Sequence, residues 1–471
     1  ALISTGSGAG DVILDATGDI TLGGVSAGTG AVALISGAAI VDGGDTYTDV
    51  IGGQLWMSAN DSIATSGNAL EIAADKLAAV AAAMYLNESD AVTVDTVAVS
   101  VARDGSLEGT FAGATTVDGD DLVTISNGTD DPNIVLISAT GAITLNDGTD
   151  ADDVAVDAAL AGNILVQSGV ASGPVYQDVS VNSSIQSGSG HITLTARGSL
   201  SQTASGDIIT EGDINLRALN GSITQSDGTL VSSIDGNIQL RASTGVTLGG
   251  LRATNGTVRV TTTSGSVVDG GDSDVDIESV SARLSAGTGV GTLGSSGNAL
   301  ETNLETLAVS AGSGGIHILE TDGLTIGSVA ISVEEVQSDG TTNTDSPSAL
   351  SDLTTASNGS IVVKTAGTGD LVLNKGSDSD ALAISANGAG AVRLEVSAGN
   401  LDINSDIVSG TGHITLLAST NVDLGSGVDV STSTAGDISI EATSGTLVMD
   451  GTATVTATDS GLRLLANGNI V

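Results

Sequence analysis

The stretch Gly212-Asp-Ile-Asn-Leu-Arg-Ala-Leu-Asn-Gly221-Ser-Ile-Thr holds two short strand patterns, each opened by a glycine. The pattern recurs at Gly236-Asn-Ile-Gln-Leu-Arg-Ala and at Gly256-Thr-Val-Arg-Val, and Gly190-His-Ile-Thr-Leu comes one repeat earlier. The four leading glycines are 22, 24 and 20 residues apart. Apolar and polar residues alternate, which is typical of a strand with one buried face. Two or three such strands in a period of about 20–25 residues predict a β-solenoid.

We therefore predict an all-β fold, a parallel β-helix with about 20–25 residues per turn and roughly 20–22 turns. Glycine at the corners should supply turns with positive φ. The polar, weakly periodic segments 104–121 and 335–358 are the predicted excursions from the coil. The alternation predicts that one set of residues points inward and stacks in columns: Ile192, Leu194, Ile214, Leu216, Ile238, Leu240, Val258 and Val260.

The sequence also repeats over a much longer period. Ile20-Thr-Leu-Gly-Gly matches Val246-Thr-Leu-Gly-Gly, and Ser66-Gly-Asn-Ala-Leu-Glu matches Ser296-Gly-Asn-Ala-Leu-Glu, at offsets of 226 and 230 residues. We predict two tandem solenoid units, 1–235 and 236–459, with the start of a third at 460–471. They should form one continuous solenoid without linkers, and the chain is expected to be a section of a longer fibre.

Residues 71–85 are rich in alanine and read locally as a helix. Their counterpart from Glu301 onward contains Gly312, Gly314 and Gly315, which disfavour a long helix. Because equivalent segments should share a fold, we predict strand and turn in both.

Composition limits the class of protein. The 471 residues include 66 Gly, one Trp, three Tyr, one Phe and no Cys, so the core must be built from Val, Ile, Leu and Ala. The absence of Cys excludes a disulfide scaffold and thiol chemistry. A net charge of −44 argues against a nucleic-acid partner and an anionic membrane surface. No apolar run is long enough to span a bilayer, so we predict no membrane insertion in this segment.

The Gly-[Asp/Asn/His]-Ile-x-Leu-x-Ala strings resemble the repeat regions of large secreted bacterial adhesins of the filamentous haemagglutinin kind. Gly297-Asn-Ala-Leu-Glu-Thr and Glu320-Thr-Asp-Gly-Leu-Thr-Ile-Gly-Ser-Val are similar to strings in giant repetitive surface proteins. The resemblance covers almost the whole chain. It implies a right-handed parallel β-helix, secretion to the cell surface, and adhesive or structural use.

Two acidic loops offer the hard oxygen ligands that calcium prefers. The first contains Asp272, Asp274 and Asp276, with Asp269 and Glu278 beside them. The second contains Asp147, Asp150 and Asp152, followed by Asp153. Both are candidate calcium sites, and solvated loops are the alternative. No calcium-binding nonapeptide array is present.

Other charged residues carry weaker hypotheses. Arg217 and Arg241 occupy the same place in adjacent repeats, where they could hold a sulfate or sugar acid or lie on a solvated face offset by Glu211 and Asp213. His191 and His413 stand where Asp or Asn stands in other repeats, so corner positions are favoured over a ligand role.

The sequence favours a structural or adhesive extracellular protein, a stiff stalk or fibre segment on a bacterial surface, over an enzyme. Every distinctive motif is duplicated and basic residues are scarce, which is unusual for a single active site. The expected partners are further copies of the same repeat, by axial continuation or end-to-end stacking, and surface glycans. The alternative is a glycan-binding or glycan-cleaving β-helix of the polysaccharide lyase or hydrolase kind.

Overall fold

The computed structural model describes residues 2–6, 8–44, 46–104, 111–128, 131–169, 176–271, 273–294 and 297–471. All regular structure within these ranges is β-strand. The chain divides into two compact units. The first comprises residues 1–222, 229–232 and 334–344, and the second comprises 223–228, 233–333 and 345–471. Each unit is a parallel β-helix, as predicted.

One turn of the first unit illustrates the architecture. It contains the strands Ile192–Ala196, Leu200–Gln202 and Ile208–Thr210. Each strand pairs in parallel with a strand about one repeat away in sequence: Ile192 lies opposite Ile214, Leu200 opposite Val179, and Ile208 opposite Ile185. Three parallel ladders therefore run along the three sides of the coil. A parallel arrangement requires a long connection between paired strands, and the other two sides of the turn provide it.

The strands of the first unit range from two to twelve residues. In chain order they are Ile3–Ser4, Val12–Ala16, Ile20–Leu22, Val25–Ser26, Ala31–Ser36, Ile40–Asp42, Val50–Ala59, Ser62–Ile63, Leu70–Ala81, Ala83–Glu88, Val92–Val94, Val97–Asp104, Phe111–Gly119, Leu122–Thr124, Ile134–Ser138, Ile143–Leu145, Val154–Ala158, Ile164–Ser168, Val179–Val181, Ser184–Ser187, Ile192–Ala196, Leu200–Gln202, Ile208–Thr210 and Ile214–Ala218.

The second unit repeats this arrangement. Its strands are Ile223–Gln225, Ile238–Ala242, Val246–Leu248, Leu251–Thr262, Val267–Asp269, Ile277–Ala286, Gly289–Val290, Leu300–Ala311, Gly315–Glu320, Leu324–Ile326, Ser328–Val329, Leu350–Ser351, Leu353–Thr355, Ile361–Thr368, Leu371–Leu373, Leu382–Ala386, Val392–Ala398, Leu401–Ile403, Asp406–Ser409, Ile414–Ala418, Val422–Leu424, Asp429–Thr432, Ile438–Ala442, Leu447–Met449, Thr454–Ala457 and Leu462–Ala466. Three further strands have residues assigned to both units: Val231–Ser233, Val333–Val336 and Thr342–Asp345.

The predicted core columns are confirmed. All eight residues predicted to point inward have no exposed surface. Ile192 and Leu194 lie opposite Ile214 and Leu216 in the first unit. In the second unit, Ile238 and Leu240 lie opposite Val258 and Val260. Because a shift of one residue would turn every aliphatic side chain outward, burial of these columns fixes the register of the ladders.

The motif glycines have a different role from the one predicted. Gly212 and Gly256 do not have positive φ. A Cβ atom on Gly212 would lie 2.4 Å from the carbonyl oxygen of Gly190, and one on Gly256 would lie 2.0 Å from that of Gly236. Glycine is required at these corners because consecutive turns approach too closely for any side chain, not because the backbone is left-handed.

The polar residue after each motif glycine bonds to the next turn. The Asn163 Oδ1 atom accepts a hydrogen bond from the backbone N–H of His191 over 2.8 Å, and His191 Nδ1 accepts one from Asp213 N over 3.0 Å. His413 Nδ1 accepts in the same way from Asp437 N over 3.0 Å. The histidines are therefore corner acceptors, which agrees with the favoured interpretation.

The segment around 71–85 is strand, as predicted. The strand Leu70–Ala81 and its counterpart Leu300–Ala311 are each twelve residues long and follow two sides of the coil. A buried glutamate meets each of them where it turns between the sides. Glu88 Oε2 accepts a hydrogen bond from Ala74 N over 3.0 Å, and Glu320 Oε1 accepts one from Leu304 N over 3.2 Å. These carboxyl groups satisfy buried N–H groups that would otherwise lack a partner.

Two excursions leave the coil; they overlap the predicted segments 104–121 and 335–358 but begin seven residues earlier, at Val97 and Ser328. The first excursion spans residues 97–119, and its described parts are two antiparallel strands, Val97–Asp104 and Phe111–Gly119. The second excursion, residues 328–351, contains short strands, two of which pair in antiparallel fashion at Ser328–Val329 and Leu350–Ser351. The coil resumes at Leu122–Thr124 and Leu353–Thr355.

Candidate metal centres

Four groups of carboxylates gather in the described parts of the chain, and within each group the facing oxygen atoms lie within 4.8 Å of one another. The groups form two equivalent pairs, one member in each unit. We name the corner clusters Asp42–Asp49–Glu71 and Asp269–Asp276–Glu301. We name the excursion clusters Asp121–Asp147–Asp150–Asp152 and Asp352–Asp378–Asp380.

The corner clusters begin at the last residue of a short strand. Asp42 ends Ile40–Asp42 and Asp269 ends Val267–Asp269. Their Oδ1 atoms accept hydrogen bonds from Gly44 N over 3.0 Å and from Gly271 N over 2.8 Å. Their Oδ2 atoms are buried and accept none. Each corner cluster therefore contains a buried carboxylate oxygen that accepts no hydrogen bond.

The excursion clusters lie where an excursion rejoins the coil. Asp121 and Asp352 directly precede the strands Leu122–Thr124 and Leu353–Thr355, with φ of 57° and 67°. Aspartate tolerates this left-handed conformation better than most residues. Both side chains are buried, with 2% and 1% exposed, and the Oδ1 atom of each accepts no hydrogen bond. The turn thus directs a carboxylate inward.

The other members of the excursion clusters come from the loop that follows the next side of the coil. Asp152 Oδ1 accepts a hydrogen bond from Val154 N over 2.9 Å, and Asp380 Oδ1 accepts the equivalent bond from Leu382 N over 3.0 Å. In the first unit Asp120 adds a further buried oxygen, Oδ1, that accepts no hydrogen bond. The loops therefore have the same local geometry, but the first unit contributes more negative charge.

Burial and the crowding of these carboxylates raise the pKa values of Asp121 and Asp352. Burial, with repulsion from Asp150, Asp152, Asp120 and Asp147, raises the pKa of Asp121 to about 8. Burial and repulsion from Asp378 and Asp380 raise the pKa of Asp352 to about 7. Without a cation, such groups hold a proton near neutral pH.

The structure brings some of the predicted calcium ligands together and separates others. Asp147, Asp150 and Asp152 come together as expected, while Asp153 is exposed and outside the cluster. The other loop is divided: Asp276 and Asp269 belong to a corner cluster, Asp274 is exposed and outside it, and Asp272 lies outside the described residues. Among the described residues, Asp276 therefore meets Asp269 and Glu301 rather than Asp274, and the predicted site of Asp272, Asp274 and Asp276 stays a prediction. Glu278, also part of the predicted acidic loop, forms an ion pair with Arg252, in which Oε2 lies 2.7 Å from Nη2.

Sequence reasoning missed Asp121, Asp352, Glu71 and Glu301. Each stands roughly one turn of sequence from its cluster partners, so proximity along the chain does not reveal it. A search for acids separated by one repeat could have found these residues, since consecutive turns stack at about 4.8 Å.

The arginines do not lie on an open solvated face. Arg217 Nη1 is 3.4 Å from Glu335 Oε2, and in the second unit Arg241 Nη1 is 3.2 Å from Asp345 Oδ2. Glu335 and Asp345 belong to the second excursion. Acids of the excursion thus contact both arginines, and Asp213 Oδ2 accepts a hydrogen bond from Glu334 N.

Comparison with known proteins adds no relative. No family model matches the sequence, and no curated protein and no solved structure matches it. Among the described residues, no helix has the length and apolarity that a membrane span requires.

Proposed function

We propose that this chain is a non-catalytic structural module, a stiff β-helical segment of an extracellular stalk, fibre or adhesin on a bacterial surface. The bacterial, extracellular and adhesive parts of the proposal depend on the resemblance of the repeat and on the acidic, cysteine-free composition. Axial continuation by further copies of the turn is part of the same proposal, and surface glycans are its expected ligands.

The observation that carries the proposal is the way consecutive turns are joined within each unit. Parallel ladders run along the sides, aliphatic columns fill the interior, and corner side chains such as Asn163, His191 and Asp437 accept hydrogen bonds from the following turn. Bending such a coil requires many hydrogen bonds and packed contacts to change together, so the turn-to-turn contacts favour stiffness.

The alternative, a glycan-cleaving β-helix, needs a cleft with clustered acids and aromatic side chains. The first excursion does not leave its flank open, because Val97 and Val99 pack on Trp56, Ala33 and Ala78. Tyr47 and Tyr176 are exposed but belong to neither excursion, and Phe111 of the first excursion is outside the residues whose side chains are described. These observations favour the structural proposal.

Single-molecule stretching of the whole chain tests the mechanical part. We expect unfolding in steps of one or a few turns, each turn releasing about 70–80 Å of chain. Asp437 Oδ1 accepts a hydrogen bond from Gly461 N over 2.7 Å at a corner. Asp437→Ala removes this acceptor and should lower the force of one unfolding step. Glu305→Ala, at an exposed residue, serves as the matched control.

Incubation with neutral and acidic polysaccharides tests the absence of catalysis. We expect no new reducing ends and no unsaturated uronate products. Cleavage by the purified wild-type chain would overturn the proposal, as would smooth extension without unfolding steps.

A further inference from the structure

The first-unit excursion cluster combines three features that a solvated acidic loop lacks. Its four carboxylates converge from two places about one turn apart, Asp121 on one side and Asp147, Asp150 and Asp152 on the other. Only 2% of the Asp121 surface is exposed, and its Oδ1 atom accepts no hydrogen bond. Asp147 Oδ1 is also buried and accepts none. A buried anionic group without donors is costly unless a cation compensates it.

We propose that Asp121, Asp147, Asp150 and Asp152 bind one Ca²⁺ ion, and that Asp352, Asp378 and Asp380 form a weaker site for the same ion. The proposal is independent of the structural function proposed above, since a β-helix of any function could contain such sites.

The donor chemistry selects the ion. All four donors are carboxylate oxygens, which bind hard cations rather than zinc or copper. Oxygens on opposite sides of a Ca²⁺ ion lie about 4.8 Å apart, twice the Ca–O distance of about 2.4 Å, and the cluster oxygens lie within 4.8 Å of one another. Mg²⁺ is smaller and keeps several of its waters, so four converging carboxylates suit it less well.

The second-unit cluster provides a natural comparison. Asp352, Asp378 and Asp380 correspond to Asp121, Asp150 and Asp152, but Lys375 replaces Asp147 and Ser351 replaces Asp120. One ligand carboxylate is lost and a positive charge stands in the same loop. Because calcium affinity follows the number and charge of the ligands, the second site should be the weaker one.

The position of the first site gives the ion a mechanical role. Asp121 lies two residues after Gly119, the last residue of the first excursion. A Cβ atom on Gly119 would lie 2.2 Å from the ring of Trp56, so the end of the excursion rests directly on that ring. A cation held between Asp121 and the 147–152 loop would fasten the excursion over Trp56.

Trp56 therefore reports on the first site alone, because the chain has no other tryptophan. We expect calcium added to chelator-treated full chain to reduce acrylamide quenching of Trp56 fluorescence in a saturable manner. Titration calorimetry with CaCl₂ should resolve a stronger and a weaker binding event, with Mg²⁺ binding at least about tenfold more weakly than Ca²⁺.

Three variants assign the two events. Asp121→Asn and Asp147→Lys should each weaken the stronger event at least about tenfold and remove the calcium response of Trp56. Asp352→Asn should weaken only the weaker event and leave the Trp56 response unchanged. Asp147→Lys introduces the residue that the second unit already tolerates, so it tests the proposal even if Asp121→Asn fails to fold.

The reverse exchange, Lys375→Asp, should strengthen the weaker event. The proposal is overturned if the wild-type chain shows no saturable calcium binding, or if both first-site variants bind like the wild type. Equal or tighter binding of Mg²⁺ would overturn the choice of ion.

Discussion

The two units place opposite chemistry at the same outward-facing column. In the first unit Ala33, Trp56 and Ala78 lie opposite one another on consecutive turns. In the second unit the equivalent column is Arg259, Arg283 and Ala308. The first column is covered by apolar residues of the first excursion, Val97, Val99 and Val117.

The second column is covered by acceptors from the second excursion. Asp345 Oδ2 lies 3.1 Å from Arg259 Nη1, and Ser348 O accepts a hydrogen bond from Arg283 Nη1 over 2.6 Å. Burial and the neighbouring Arg283 and Arg241 lower the pKa of Arg259, while Asp345 opposes this shift. The inward side of the turn is thus fixed by the repeat, whereas the outward side and its cover vary together.

Loss of the apolar contacts between Trp56 and the first excursion should destabilise the protein most. Trp56→Ala should destabilise the first unit by about 3–5 kcal/mol, because it removes the large side chain on which the first excursion packs. Hydrogen exchange should accelerate throughout residues 97–104 and 111–119. Tyr176→Ala, at a residue that is 63% exposed, is the control and should change little.

A second comparison concerns the two buried glutamates, which respond to pH. Burial raises the pKa of Glu88 to about 8 and that of Glu320 to about 7, although hydrogen-bond donors oppose the shift. In the unfolded chain both groups lose their protons near 4.5. The folded state therefore holds more protons between these values, and stability falls as pH rises through this window.

We expect the loss of stability from Glu88 to extend from about pH 4.5 to pH 8, and the smaller loss from Glu320 to extend from about pH 4.5 to pH 7. Glu88→Gln should flatten the fall in melting temperature with pH. Glu305→Gln removes the same charge at an exposed position and controls for general repulsion. An unchanged slope in Glu88→Gln would contradict the assignment.

Removing the acidic cover should cost less than removing the apolar one. Asp345→Asn leaves Arg241 and Arg259 without their shared carboxylate and should destabilise the second unit by about 1–2 kcal/mol. The partly exposed pair should also make this difference smaller at high salt. Glu278→Gln breaks the more exposed pair with Arg252 and should cost under about 0.5 kcal/mol.

The two buried glutamates differ in one hydrogen bond, and exchanging it should change stability only slightly. Glu320 Oε2 accepts a hydrogen bond from Thr302 Oγ1 over 2.8 Å, whereas the equivalent residue beside Glu88 is Ile72. Thr302→Ile should raise the pKa of Glu320 towards that of Glu88, a change of about 1 kcal/mol. NMR titration of the glutamate carboxyl carbon measures it, and a lowered pKa would show that another donor controls Glu320.

Sequence periodicity predicted the fold because the physical requirement repeats with the turn. Alternating aliphatic residues such as Ile192 and Leu194 identify the buried face wherever the strand is placed. The copy-to-copy comparison also overruled the helical propensity of residues 71–85, since tertiary pairing on both sides outweighs propensity. The glycine motif was found correctly, but its reason, close contact between turns, depends on a distance that sequence does not contain.

The candidate metal centres were only partly predictable for the same reason. Asp147, Asp150 and Asp152 share a loop, so the local sequence predicts that they lie close together. Asp121 joins them from about one turn away. Asp274 is in the acidic run yet lies on the surface, while Asp276 two residues later turns inward to meet Glu301.

The repeat pattern therefore predicts the solenoid, its short and long periods and its aliphatic columns, because the same requirement holds at every turn. The approximate positions of the two excursions follow from the local loss of that pattern. Tertiary contacts determine which acids meet, which arginines have acceptors and which excursion covers an apolar face. Those contacts join residues one or more turns apart, and their register depends on how many residues each turn and excursion contains.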